Sequence, residues 1–265
     1  MLFVDERGKG DPVVLLHSGG MSSRQWRALS EKLGASHHVL APDFLGSGKN
    51  PPWPNDKAFA WTEDLDGVVE VLARLDRPAH VVGHSYGGLI ALGLARLHSA
   101  RVRSVAVYDP VAFGVLYDPP DETGLADLAR AEEIPVFTDQ ARGGGEEWWE
   151  AFVGYWNGEG AWKNLPPASR EQFLRVGRKV FLEVMSLMHD RTPAMAYAKV
   201  DVPALLLSGE HTPIAARRVT KILSETMPNA KLEIVAAAGH MGPLTHSAEV
   251  NRLVEEHVRS AAKSR

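Results

Sequence analysis

The chain has 265 residues, no cysteine and a formal charge of −4, from 29 basic and 33 acidic side chains. That length suits one or two domains with a large core, and an apolar fraction of 45 % can fill it without staples. The missing cysteines exclude disulfides, a thiol nucleophile and Cys-ligated zinc, and the mixed, mildly acidic charge lacks the basic footprint of a nucleic-acid binder.

The N-terminal MLFVDERGKGD has neither a basic nor an apolar leader region, so no signal peptide is read there. No apolar run approaches the ~18 residues of a membrane span, and the expectation is a cytoplasmic protein without membrane contact. Short runs rich in Val, Leu and Ile at 13–16, 38–40, 79–82, 102–107, 204–207 and 232–235 read as buried strands. Between them lie helical patterns. Thr62 with Glu63 and Asp64 is expected to open a helix reaching Leu75, with its acids at the positive dipole end. Leu89 to Leu97 is an apolar helical stretch, Thr212-Pro213 reads as an N-cap followed by proline, and Ser247 with Glu249 opens a last helix with Val250, Leu253, Val254 and Val258 inward. Near-continuous hydrophobic strands alternating with helices predict an α/β fold with a mostly parallel sheet covered on both faces.

The rhythm breaks between about Ala112 and Val200. This stretch holds Gly143-Gly144-Gly145, read as hinge-like, and four of the seven tryptophans within fifteen residues, Trp148, Trp149, Trp156 and Trp162. It is too long for a loop, so it is expected to be a helical insertion. Ser169-Arg170-Glu171-Gln172 reads as a capping box opening a helix with Phe173, Val180, Phe181, Val184, Leu187 and Met188 on its apolar face, and with Arg175, Arg178 and Lys179 on a solvated one. The aromatic crowd either roofs a binding site or glues the insertion to the core. The tail at 261–265 is expected to fray.

Gly83-His84-Ser85-Tyr86-Gly87 is a GxSxG motif between a strand and a helix, the context in which serine is held exposed on a sharp turn. Such a serine needs a base. Of eleven histidines, His240 lies on the loop after the last strand, at the carboxyl edge where α/β sheets gather ligands. His17 and His84 sit at strand ends and are expected to bond loop backbone. His37-His38 reads as structural, and no metal-binding spacing occurs.

With these residues the chain resembles the α/β-hydrolase superfamily over nearly its whole length. Leu15-Leu16-His17-Ser18-Gly19-Gly20 is similar to the family's His-Gly oxyanion segment, Pro42-Asp43-Phe44-Leu45-Gly46-Ser47-Gly48 to its PDxxGxG turn, and Gly239-His240 to its terminal histidine loop. The resemblance implies a sheet of about eight strands, a core at 1–111 and 200–265, and a helical lid at 112–199. It also implies a Ser85–His240–acid triad, and an oxyanion hole from the backbone of Tyr86 and Gly19 or Gly20. Ser18 stands in place of a usual glycine, either bracing its loop or lining the site. The family commonly places the acid where this chain has Thr212. Two carboxylates are left: Asp109, ending the strand after the nucleophile and favoured here, and Glu210. Either would complete a triad whose acid fixes the histidine tautomer. The implied activity is metal- and cofactor-free hydrolysis of a small apolar carboxylic ester. C–C bond hydrolysis of a diketone on the same side chains, or a non-catalytic receptor on the same fold, are the alternatives. Serine at the nucleophile position disfavours aspartyl-ester chemistry. Gly46-Ser47-Gly48-Lys49-Asn50 lacks the first glycine and the Ser/Thr of a phosphate loop, and no dinucleotide fingerprint follows the first strand. Nothing in the sequence indicates an oligomeric state.

Overall fold

The computed structural model describes residues 1–262. In chain order the elements are β1 (Val4–Arg7), β2 (Asp11–Leu16), α1 (Arg27–Leu33), β3 (His37–Pro42), α2 (Trp61–Ala73), β4 (Ala79–His84), α3 (Tyr86–Leu97), β5 (Val102–Tyr108), α4 (Glu122–Glu132), α5 (Glu146–Asn157), α6 (Pro167–His189), β6 (Ala204–Gly209), α7 (Ile214–Thr226), β7 (Ala230–Val235), α8 (Gly242–Thr245) and α9 (Ser247–Ala262). Among the described residues the sheet has seven strands rather than about eight, in the order β1-β3-β2-β4-β5-β6-β7. Only β1 runs antiparallel, against β3. All six strand runs read from the sequence are present, but the one at 232–235 is not a buried strand: β7 ends the sheet, and Ile234 is 53 % exposed. β1 escaped that reading because Val-Asp-Glu-Arg is short and mostly charged, as suits an edge strand.

The strands alternate faces with period two. Val14, Leu16, Val81, Val105, Val107 and Leu206 pack with α2, α3 and α7 on one side. Val13, Leu15, Val82, Ala106, Leu205 and Leu207 pack with α1 and α9 on the other. The registers Leu16↔Gly83, Gly83↔Val107 and Val107↔Leu206 bring the carboxyl ends of β2, β4, β5 and β6 to one edge. Every loop carrying candidate chemistry leaves from that edge.

Helices α4, α5 and α6 are inserted between β5 and β6, with their own core of Trp148, Trp149, Trp162, Val180 and Phe181. Several local expectations are corrected. α6 starts at Pro167 behind Pro166, so Ser169 lies inside the helix rather than capping it; proline pre-sets the first turn and needs no donor there. α2 likewise starts at Trp61, one residue before Thr62, and ends at Ala73. The triglycine is a close packing point, not a hinge: a Cβ on Gly144, where φ is +86°, would lie 2.2 Å from the Gly177 carbonyl carbon. Of the tail, Ala261 and Ala262 continue α9, and 263–265 lie outside the described residues. No helix among the described residues is long and apolar enough to cross a membrane.

Candidate active site

Ser85 stands between β4 and α3 with φ 54° and ψ −116°, a conformation that L-residues hold only under constraint. The constraint is close backbone approach. A Cβ on Gly83 would lie 2.2 Å from the Gly87 carbonyl oxygen, and one on Gly87 would lie 2.4 Å from that of Leu16. Only glycines let strand and helix fold back on each other this tightly, which leaves the Ser85 hydroxyl at the sheet edge. The amide of Ser85 is tied to the Tyr108 carbonyl at 2.9 Å.

His240 reaches Ser85 from the loop after β7: its Nε2 lies 3.0 Å from Ser85 Oγ. Its Nδ1 lies 3.3 Å from Asp109 Oδ2. With the Nδ1–H directed at the carboxylate, Nε2 is free to accept the serine proton. Asp109 follows β5 with φ 43°, a left-handed turn that aspartate tolerates better than most residues, and this turns its side chain up into the site. Glu210 is elsewhere. Its carboxylate is exposed and accepts the Ala237 N–H at 2.8 Å.

Thr212 is not an N-cap. Pro213 occupies the cap position of α7, and the Thr212 hydroxyl donates to Asp109 Oδ2 at 2.6 Å. The Ser208 hydroxyl donates to Oδ1 at 2.7 Å. The vacancy at 212 and the choice of Asp109 are therefore linked: the residue in the usual acid position serves a carboxylate arriving from the neighbouring strand. Burial pushes the Asp109 carboxyl up from its ordinary value, while the Thr212 and Ser208 hydroxyls pull it back. Burial lowers His240, so the imidazole rests neutral, as a base must.

The two neighbouring histidines brace loops, as expected. His17 Nε2 accepts the Phe44 N–H at 3.0 Å, so its Nδ1–H donates to the Ser18 carbonyl at 2.7 Å. His84 Nδ1 faces the Gln25 amide nitrogen at 3.0 Å, and its Nε2 lies 2.8 Å from the His240 carbonyl oxygen. Gln25 Oε1 in turn accepts from the Ser18 amide at 2.9 Å and from its hydroxyl at 3.2 Å. Ser18 thus braces its loop, and a buried path Ser18–Gln25–His84 links the loop after β2 to the loop bearing His240. Nothing in the sequence marked Gln25, because it lies seven residues past Ser18 in an otherwise unremarked segment. A Cβ on Gly19 would lie 3.9 Å from the Tyr86 Cβ, so the two proposed oxyanion donors sit on facing segments. Asp43, in the glycine turn, accepts the amides of Ser23 at 2.7 Å and Lys49 at 2.8 Å and fixes the loops beside the site.

Above these residues lies a cavity of about 370 Å³. The aromatic side chains of the insertion divide between the two roles open to them. Trp148 and Trp162 are buried in the insertion's own core. Phe152, Tyr155 and Phe173 line the cavity, and Phe137 and Trp149 do both. Trp156 stacks on His240 with ring centroids 3.8 Å apart. The lining is almost wholly apolar, contains Glu183, and among the described residues includes no lysine or arginine.

Lys179 is a further correction. It is not on a solvated face but 3 % exposed, bonded to Asp64 Oδ2 at 2.6 Å and to Glu183 Oε1. Arg178 is half-buried, its guanidinium over the Phe181 ring, and Arg175 is exposed as expected. Asp64, read as a first-turn acid, is fully buried and also accepts the Leu45 N–H and the Tyr86 hydroxyl, each at 2.8 Å.

Fold and site define a hydrolase built on a parallel α/β sheet. Residues 13–253 match the alpha/beta hydrolase family, and the chain belongs to it. It is 29 % identical over 264 residues to a pimeloyl-[acyl-carrier protein] methyl ester esterase of Chromobacterium violaceum, covering 98 % of this chain and 99 % of that one. It is 26 % identical to a 2-hydroxymuconate semialdehyde hydrolase of Pseudomonas putida, covering 97 % and 90 %. Among solved structures, a thermophilic esterase from Thermogutta terrifontis superposes with a TM-score of 0.73 at 22 % identity, over 98 % of this chain and 93 % of that one.

Proposed function

We propose that the protein hydrolyses a carboxylic ester of a small, largely apolar, uncharged substrate through an acyl-enzyme on Ser85. The observation that carries this reading is the unbroken Ser85–His240–Asp109 relay opening into an apolar cavity. Ser85 Oγ attacks the ester carbonyl while His240 Nε2 takes its proton. Asp109 holds the tautomer and stabilises the imidazolium. The backbone N–H groups of Tyr86 and Gly19 receive the oxyanion; losing one such donor typically costs roughly 10²–10³ in turnover. His240 then protonates the leaving alcohol, and water activated by the same imidazole releases the acid. Likeness to a methyl ester esterase supports the ester class. The lack of a lining lysine or arginine among the described residues favours substrates without a free carboxylate. The core at 1–111 and 200–265 and the lid at 112–199 fit this division of labour, with chemistry on the sheet edge and the pocket roof on the insertion.

A fluorophosphonate probe should label the protein once, at Ser85, and abolish turnover of p-nitrophenyl butyrate in step with labelling. Peptide mapping by mass spectrometry checks the site. A protein that neither labels nor turns over esters overturns the reading, and turnover of a diketone but no ester moves it to C–C bond hydrolysis.

The acid is tested separately. Asp109→Asn should lower kcat by up to ~10⁴, because the amide favours the wrong imidazole tautomer. Glu210→Gln should change kcat less than about twofold, since surface substitutions away from such features are nearly neutral. Steady-state kinetics on the two variants decides between the carboxylates.

A further inference from the structure

Asp64, Lys179 and Glu183 form a buried cluster between the sheet and the roof of the cavity. Asp64 is bonded through both oxygens. The Lys179 ammonium lies between Asp64 and Glu183 Oε1 and sits 4.2 Å over the Phe59 ring. The remaining oxygen, Glu183 Oε2, is buried and has no partner. Glu183 as a whole is 1 % exposed and lines the cavity. Its Oε2 lies 2.9 Å from where a Cβ on Gly19 would stand, directly over the loop proposed to bind the oxyanion. Of the other polar side chains of the lining, Ser18 bonds Gln25, Tyr86 bonds Asp64, Tyr155 bonds Asp127, Asn157 and Thr245 bond the Val153 and Met241 carbonyls, and Ser85 and His240 bond each other. Trp149 Nε1 is also without a partner, but it faces the Gly177 backbone, 2.8 Å from where a Cβ there would stand.

We infer that Glu183 Oε2 is a specificity element that accepts a hydrogen bond from a hydroxyl or amide N–H of the substrate, carried within a few bonds of the scissile carbonyl. An acceptor held in an apolar pocket without a donor is costly, and native proteins rarely leave one so. A substrate donor at that place completes the cluster, with Lys179 holding the other carboxylate oxygen in position from behind. With both carboxylates ionised they share one ammonium, so the cluster is one negative charge in excess and disfavours a substrate carboxylate at the same place. The inference rests on the ester-hydrolase reading for the identity of the scissile bond, and it narrows the substrate class to hydroxy- or acylamino-substituted esters.

The test compares p-nitrophenyl 3-hydroxybutyrate, p-nitrophenyl butyrate and mono-p-nitrophenyl succinate at pH 8, on wild type, Glu183→Gln and Glu183→Met. In Glu183→Gln the Lys179 ammonium keeps the amide oxygen, so the NH₂ faces the cavity and offers a donor instead of an acceptor. The hydroxy-to-plain ratio of kcat/KM should fall about tenfold or more in both variants, the scale of a hydrogen bond to a charged acceptor. Taking the ratio cancels the intrinsic reactivity of each ester and any general loss of activity. A second arm removes turnover: in a Ser85→Ala background, tryptophan fluorescence should report tighter binding of methyl 3-hydroxybutyrate than of methyl butyrate, and no such preference once Glu183→Gln is added. Preferential binding by a protein that hydrolyses none of the esters would overturn the reaction class and leave the Glu183 assignment standing. A ratio unchanged by both variants with no binding preference, or a wild-type preference for the succinate, overturns the assignment itself. If Glu183→Met fails to fold, Glu183→Gln, of the same shape, carries both arms.

Discussion

Ser85→Ala and His240→Ala should each lower kcat on p-nitrophenyl esters by roughly 10⁶, and the double variant should be no worse than either alone, because nucleophile and base act as one unit. The 3.0 Å contact between Ser85 Oγ and His240 Nε2 makes each useless without the other: an unassisted hydroxyl is a poor nucleophile, and a base with no hydroxyl to deprotonate has nothing to activate. The residual rate, on the order of 10³ over water, belongs to the oxyanion donors and to binding, which both substitutions leave in place. Active-site titration must first confirm that no wild-type contaminant sets the floor. Full additivity, with the double variant falling by the product of the singles, would mean that the two residues contribute independently and would reject the relay. Both variants should remain folded. Ser85→Ala removes only a hydroxyl and leaves the strained turn as it is, and the cavity left by His240 lies under Trp156, at the edge of the pocket rather than in the sheet core.

What the sequence disclosed follows from how local each constraint is. The nucleophile turn was legible because its geometry excludes side chains at Gly83 and Gly87, leaving a spacing that can be read directly. The inner strands were legible because burial on both faces leaves near-continuous apolar runs, and the run at 232–235 showed too although it lies on the half-exposed edge strand β7. His240 and Asp109 could be placed because each follows a strand whose carboxyl end is fixed by sheet order. Thr212 was misread because a threonine before a proline satisfies the rules for a helix cap, while its actual partner, Asp109, is 103 residues away. Ser169 fits a capping pattern equally well, but the two prolines before it start the helix earlier. Lys179 and Glu183 are the plainest case. A Lys–Glu pair four residues apart on a helix is a usual surface pattern, and nothing nearby in the chain tells that Asp64, from a helix 115 residues earlier, receives the same ammonium.

Lys179→Met should be the most destabilising single substitution near the site, at about 3–5 kcal/mol, because removing one partner of a buried ion cluster strands the others. Asp64 and Glu183 are 0 % and 1 % exposed, so neither can turn to water without opening the seam between α2 and α6. For a protein of this size the loss corresponds to a melting temperature lower by roughly 6–20 °C. The effect should grow with pH. Burial raises the Glu183 carboxyl above its ordinary value, and the charge of Lys179 is the leading influence holding it down. Without Lys179 it rises further. A carboxyl raised in the folded state contributes stability that is complete below the unfolded glutamate value of about 4.3 and is lost as pH climbs through the folded value. Urea melts of Lys179→Met and wild type should therefore lie closest near pH 5 and diverge by pH 8. Lys179→Met/Glu183→Met should recover part of the loss, since Asp64 keeps the Leu45 amide and the Tyr86 hydroxyl and no second carboxylate faces it. Equal midpoints for wild type and Lys179→Met at pH 8 would show that the ammonium holds nothing together. A double variant weaker than the single would show that Glu183 stabilises the seam by packing, not by charge.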